Sequence, residues 1–228
     1  LEGVAAGSDP AAAVRSWAAG AVADSSRLFS YVPPPDFRLE GNHLTFSSPL
    51  PCIHPENNTV HGDFYPAAKA RGRAVVVLPQ WNAGVDGHAG LCRLLSRHGI
   101  SALRMSMAYH DRRMPRELER AEYHMSSNIG RTIHACRQSV IDTRACLDWL
   151  ERQGYARLAV LGTSLGSCIA FIAAAHDRRV SAGVFNHVST YVGDVVWTGK
   201  ATRHVRWALE SGISRDDLRG GDGARVLA

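Results

Sequence analysis

The chain has 228 residues, of which 45% are hydrophobic and 21% are charged, a length sufficient for one large domain and a balance typical of a soluble globular protein. Its formal net charge of +5 comes almost entirely from scattered arginine, with lysine only at Lys69 and Lys200, so no basic run indicates nucleic-acid binding. No apolar stretch approaches the length that spans a bilayer, which argues against a membrane-spanning protein.

The first elements predicted are a helix and a hairpin. Residues 10–29 are rich in alanine and carry an apolar stripe, and Asp9-Pro10 has the form of a helix start. Three prolines then break the chain. Two segments of strand character follow, His43–Ser48 and Thr59–Pro66, separated by turn residues. They predict an entry hairpin ahead of the main sheet.

From Arg73 onward, apolar strands alternate with helical periodicity. The predicted strands are Ala74–Leu78, Ile100–Met107, Ala156–Leu161 and Val180–Val188, and the predicted helices are Gly87–Arg97, Gly130–Gln153 and Ser167–Ala175. Residues 110–128 are polar and rich in arginine, which indicates a surface excursion. This alternation predicts an α/β fold with a doubly wound, mostly parallel sheet.

The segment Gly162-Thr163-Ser164-Leu165-Gly166 lies between a predicted strand and a predicted helix. A Gly-x-Ser-x-Gly in this setting is typical of a nucleophile elbow, where a sharp turn lifts the serine hydroxyl clear of the sheet. The hydroxyl then stands at a helix N-terminus, whose free N–H groups favour a developing anion. A glycine-rich turn in an unrelated α/β protein is the alternative interpretation.

The order of elements and several motifs resemble the α/β-hydrolase superfamily, and within it the bacterial abhydrolase-domain proteins. The motifs are Leu78-Pro79-Gln80-Trp81-Asn82, Ser127–Thr132, Phe185–Ser189 and Gly193–Gly199. The resemblance covers residues 40–218. It implies a serine hydrolase that forms an acyl-enzyme, with carboxylic esters and other small acyl compounds as substrates and with no cofactor.

The resemblance also assigns roles to particular residues. Ser164 would be the nucleophile and the N–H of Leu165 one oxyanion donor, while Gln80 or Trp81 would supply the other from the loop after the third strand. Trp81 and Asn82 could instead be plain packing and turn residues.

The acid and the histidine of the catalytic triad are not evident after Ser164. We expect the chain to lack the C-terminal part of the domain, including two strands and both loops. His187 is a weak candidate for the base, because a histidine within Phe185–Val188 is more typical of a buried core position. His110 follows a strand two places from the elbow, too far for direct proton transfer. A non-catalytic scaffold or inactive fragment is therefore the alternative function.

The expected organisation has three parts. Residues 1–35 form an N-terminal helical extension, residues 36–218 a partial α/β-hydrolase domain whose segment 190–218 resembles a cap or lid, and residues 219–228 an irregular tail. The strand at Val180–Val188 would lie at the sheet edge, which predicts self-association there.

The cysteines do not indicate a disulfide framework. There are five, an odd number, and none has Cys-x-x-Cys spacing, which favours reduced thiols in the cytoplasm. His54, His61 and Asp63 match no standard ligand spacing, so we predict no metal site.

Overall fold

A computed structural model describes residues 10–189 and 191–210. The described chain divides into two compact units. The larger unit, Phe29–His124 with His134–Val188, contains the whole sheet. The smaller unit consists of the segment before Phe29, Met125–Ile133 and the segment from Ser189 onward.

The described residues form seven strands, seven α-helices and two short 3-10 helices. The strands are β1 (Arg38–Glu40), β2 (His43–Ser47), β3 (Thr59–Tyr65), β4 (Arg73–Leu78), β5 (Ser101–Met105), β6 (Arg157–Thr163) and β7 (Val180–Asn186). The helices are α1 (Pro10–Ala23), α2 (Ser25–Leu28), α3 (Ala89–Arg97), α4 (Ile129–Arg152), α5 (Leu165–Ala175), α6 (Val192–Thr198) and α7 (Arg203–Glu210). The 3-10 helices are Pro55–Asn58 and Asp111–Arg113.

The strands form one mixed sheet in the order β1-β2-β3-β5-β4-β6-β7. Strands β5, β4, β6 and β7 run parallel to one another, whereas β1, β2 and β3 are joined antiparallel at one side, where β3 pairs with β5. The predicted doubly wound, mostly parallel sheet is confirmed, and so is the entry hairpin of β2 and β3. The short strand β1 was not predicted, because three exposed residues carry no strand periodicity.

Helices cover both faces of the parallel strands. Val75 and Val77 of β4 pack with Cys92 of α3 in one apolar cluster. On β5 and β3 the opposite face meets α4, where the Thr143 hydroxyl lies 4.0 Å from the Met105 sulfur and the ring of Phe64 lies 5.0 Å from that of Trp149. Because side chains alternate along a strand, the buried β4 presents apolar residues to both layers.

Two details differ from the sequence-based expectations. The N-terminal helix is interrupted at Asp24, whose carboxylate accepts a hydrogen bond from the Arg27 N–H at 3.1 Å and so begins α2. The excursion at 110–128 is not simply a surface segment, because Arg113 and His124 are fully buried. Both are polar but have hydrogen-bond partners inside the protein, which is the condition for burying them.

The smaller unit contains α6 and α7. The Thr202 hydroxyl donates to the carbonyl of Val195 at 2.8 Å, which ties the turn before α7 to α6. The predicted cap or lid at 190–218 lies partly outside the described residues, as does the whole tail at 219–228, and the domain boundaries stay predictions. Within the described ranges, none of the helices combines the length and the apolar character needed to cross a bilayer.

Candidate active site

Ser164 occupies the bend between β6 and α5. Its backbone angles are φ 53° and ψ −121°, a region that L residues rarely adopt. Strand β6 ends one residue earlier and α5 begins one residue later, so the change of direction is concentrated on this residue. The serine is half-buried at the carboxyl edge of the parallel strands, where ligands of α/β sheets bind.

Two glycines make this bend sterically possible. A Cβ at Gly162 would lie 2.1 Å from the carbonyl oxygen of Gly166, within the bend itself. A Cβ at Gly166 would lie 2.3 Å from the carbonyl oxygen of Pro79 and 2.4 Å from that of Leu78. Both distances are impossible contacts with backbone, so the motif requires glycine here. Gly166 also brings the start of α5 against the end of β4.

The backbone of Ser164 is held on both sides. Its N–H donates to the carbonyl of Asn186, the last residue of β7, at 2.9 Å. Its carbonyl accepts from the N–H of Ser167 at 2.8 Å and from the Ser167 hydroxyl at 2.5 Å. The next residue, Leu165, is the first of α5, where backbone N–H groups have no intrahelical acceptor. This places a hydrogen-bond donor beside the serine.

The loop between β4 and α3 adjoins the bend through Pro79. Gln80 is exposed, and among the described residues its N–H donates to no backbone carbonyl. The Trp81 indole N–H donates to the carbonyl of Ala121 at 3.0 Å, and the Asn82 side chain accepts from the Ala121 N–H at 2.8 Å. The side chains of Trp81 and Asn82 therefore fasten the loop to the 110–128 excursion. An oxyanion role for the Gln80 or Trp81 N–H stays a proposal.

His88 contacts the bend, although the sequence analysis did not single it out. It stands just before α3 with φ 67°, and its Nε2 lies 2.8 Å from the hydroxyl of Thr163, the residue that precedes Ser164. Burial, together with the positive charge of Arg104, lowers the pKa of His88. His88 could have been found from the sequence, because it lies on the loop that follows the carboxyl end of β4, and such loops meet at one edge of a parallel sheet.

His187 follows Asn186 directly and has φ 65°. The expectation that it is a buried core residue is wrong, because its side chain is exposed. The strand ends at Asn186, so His187 lies in the turn after β7, an outer strand whose own residues are mostly exposed. Within the described part of the chain, no histidine ring is hydrogen-bonded to the Ser164 hydroxyl.

Other histidines have structural partners. His110 and His124 both direct Nδ1 to the carbonyl of Ala108 at 2.8 Å, and both are buried. His61 bonds to His43, which also contacts Asp63 at 3.2 Å. Within residues 10–189 and 191–210, no group of three or more His, Cys, Asp or Glu side chains is arranged to hold a metal ion.

Comparisons with known proteins bear on the fold. The family model described as alpha/beta hydrolase domain containing 18 matches residues 89–217, more than half of the 228 residues. Acetyl xylan esterase 1 from Thermoanaerobacterium sp. JW/SL YS485 is similar with a TM-score of 0.64 at 12% identity, over 90% of this chain and 71% of its own. The Pyrococcus furiosus esterase Pf2001 is similar with a TM-score of 0.50 at 13% identity, over 77% of this chain and 59% of its own. A search of curated proteins found no match.

Proposed function

The chain belongs to the alpha/beta hydrolase domain containing 18 family of α/β hydrolases, and from that premise we propose that it is a serine hydrolase acting on small carboxylic esters. The observation that carries the proposal is the conformation of Ser164, with φ 53° at a strand-to-helix bend that two glycines make possible. Both structural neighbours are named as esterases, which favours esters over other acyl compounds.

The proposed reaction is acyl transfer to water. The Ser164 oxygen attacks the ester carbonyl, and the negative charge that develops on the carbonyl oxygen is stabilised by the N–H of Leu165 and by that of Gln80 or Trp81. Loss of the alcohol leaves an acyl-serine, which water then hydrolyses to release the acid and restore the serine.

A base must take the Ser164 proton, and two histidines flank the bend. His187 follows the residue whose carbonyl holds the Ser164 N–H, and His88 contacts Thr163. Replacing each with glutamine tests them separately, since glutamine keeps a hydrogen-bonding side chain but cannot accept the proton.

Labelling with a fluorophosphonate probe tests the nucleophile. We expect covalent label on the peptide that contains Ser164, no label on Ser164→Ala, and full label on Ser181→Ala, which removes a serine from the neighbouring strand. Absence of label, or label on another serine, would contradict the proposal.

The second candidate is a non-catalytic protein with the same fold. It is favoured by the observation that no histidine ring among the described residues is hydrogen-bonded to the Ser164 hydroxyl. A wild-type chain that is folded by circular dichroism, yet takes no label and hydrolyses no ester, would decide for this candidate.

We also propose a cytoplasmic location. None of the five cysteines, all of which lie in the described part of the chain, forms a disulfide bond. Alkylation under denaturing conditions, after rapid acid quenching of the cells, also reaches the buried thiols of Cys92 and Cys146 and should find all five thiols reduced.

A further inference from the structure

Arg104 of β5 is a charged residue inside the protein, with an exposed fraction of 1%. Its Nη1 lies 2.7 Å from a carboxylate oxygen of Asp111, whose other oxygen accepts a hydrogen bond from the Ser106 hydroxyl at 2.6 Å. A buried guanidinium is tolerated only when its charge and its N–H groups have partners. Asp111 balances the charge of Arg104, but most N–H groups of the Arg104 guanidinium need other hydrogen-bond acceptors.

Two of those donors go to one loop. Nη2 of Arg104 donates to the carbonyl of Gly84 at 2.8 Å, and Nε donates to the carbonyl of Gly87 at 3.1 Å. Nη1 also donates to the Ser106 hydroxyl at 3.0 Å. Because a guanidinium is planar and its N–H directions are fixed, two bonds from one group set both the position and the orientation of the two carbonyls.

The carbonyls belong to the loop between β4 and α3, whose first residues are the proposed oxyanion donors. Successive turns connect them, since the N–H of Gly87 donates to Gly84 at 2.9 Å and the N–H of Ala83 donates to Gln80 at 3.2 Å. The residue after Gly87 is His88, which contacts Thr163 at the bend. Arg104 thus touches neither Ser164 nor the donors, but it fixes the loop that presents them.

We propose that Arg104, held by Asp111, is a positioning residue that orients the 80–88 loop, and through it the oxyanion donor and His88, against Ser164. The proposal rests on the proposed serine hydrolase function for its catalytic consequence. Its structural part, the fixing of the loop by Arg104, is measurable without activity.

A second buried pair in the same unit supplies a matched control. Arg113 and Asp142 are fully buried and 2.8 Å apart, which is close to the geometry of Arg104 and Asp111. The guanidinium of Arg113 donates to the carbonyls of Asn57 and Ser106 instead of the 80–88 loop. Disturbing either pair should destabilise the fold, but only the first should release the loop.

The experiment compares Arg104→Lys with Arg113→Lys. Lysine keeps the charge but cannot span two carbonyls and a carboxylate. We expect the amides of Ala83, Gly87 and Ala89 to exchange hydrogen at least about tenfold faster in Arg104→Lys and within about twofold of wild type in Arg113→Lys. Equal exchange in the two variants would overturn the proposal.

Kinetics separate positioning from stability. With p-nitrophenyl acetate, Arg104→Lys should lower kcat by about 10- to 100-fold with little change in KM, whereas Arg113→Lys should retain kcat per folded molecule. Loop amides that exchange faster with kcat unchanged would overturn the catalytic part. A wild type without any activity would defeat the proposed function and the catalytic part together, and hydrogen exchange would still decide whether Arg104 holds the loop.

If Arg104→Lys does not fold, Asp111→Asn takes its place, with Asp142→Asn as its control. Asparagine preserves the shape and one acceptor, so the guanidinium stays but loses its counter-charge. The same exchange and kinetic differences are expected between these two variants, and their absence would overturn the proposal in the same way.

Discussion

The backbone N–H of Ser164 donates to the carbonyl of Asn186 at 2.9 Å, so the candidate nucleophile is bonded to the end of the neighbouring strand β7. The bend is held from two further directions, by Ser167 of α5 and by the contact of Gly166 with the end of β4. Backbone strain persists only where the surroundings over-determine it, and these three contacts supply that condition.

Because the backbone of Ser164 is strained, we expect a substitution that relieves this strain to raise the free energy of unfolding. Glycine adopts a positive φ without penalty, so Ser164→Gly should raise the free energy of unfolding by about 1 to 2 kcal/mol relative to Ser164→Ala, which keeps the strain. Urea denaturation of both variants measures the difference. Equal midpoints would show that the bend stores no such strain.

Gly166 should not tolerate a side chain. A Cβ there would meet the carbonyl oxygens of Pro79 and Leu78, and backbone cannot move aside as a flexible side chain can. We expect Gly166→Ala to destabilise the protein by about 3 kcal/mol or more. Gly90→Ala is the control, because a Cβ at Gly90 meets nothing within 4 Å and alanine favours the helix by up to about 1 kcal/mol. A Gly166→Ala protein as stable as wild type would disprove the packing argument.

The buried histidines predict a loss of stability in acid. Burial lowers the pKa of His110 from 6.5 to about 4 and that of His124 to about 3. For His124, the positive charge of the His110 ring lowers the pKa further. The unfolded chain therefore binds protons below pH 6.5 that the folded chain does not, so the stability from these neutral rings is complete above pH 6.5 and is lost as the pH falls towards 4.

For His110 alone the loss amounts to roughly 3 kcal/mol over that range. The measurement is the free energy of unfolding between pH 7 and pH 4 for wild type and His110→Gln. Glutamine can still donate to the Ala108 carbonyl but does not titrate, so the variant should show a shallower pH dependence. Parallel curves would contradict the assignment.

The outer strand β7 predicts self-association. Most of its residues are exposed, Val184 is 54% exposed, and the strand contains neither proline nor a charged residue that would discourage pairing with another strand. Val184→Lys should shift a concentration-dependent dimer or aggregate to monomer in size-exclusion chromatography. Leu94→Lys, at an exposed position of α3, should not do so. A wild type that remains monomeric at high concentration would contradict the prediction.

The main elements could be predicted from the sequence because their signals are local. Each signal lies within one segment: the apolar runs of β4 and β6, and the helical periodicity of α4. The Gly-x-Ser-x-Gly motif is also local, because it places glycine at the two positions where the bend has no room for a Cβ. The bounds of these elements shifted by no more than two residues, the largest shift being at the end of β6, where the polar Thr163 joins the strand through its pairing with Asn186.

The surroundings of Ser164 could not be predicted in the same way, because their contacts are long-range. Arg104 and Gly84 lie 20 residues apart, and His88 and Thr163 lie 75 apart. The sheet order decides which of these groups meet. From the sequence, Arg104 in an apolar strand suggests that the strand lies at an exposed edge of the sheet. Its partner Asp111 could not be foreseen, because Asp111 lies in a segment whose polar composition indicates the surface.

The bond from the Trp81 indole to the Ala121 carbonyl, with the Arg120 guanidinium 5.7 Å above the ring, has a spectroscopic consequence. Any compound that displaces the loop would change the polarity around this indole and shift its fluorescence emission. Trp81→Phe would identify that component of the signal, so this indole is a built-in optical reporter of movement in the loop between β4 and α3.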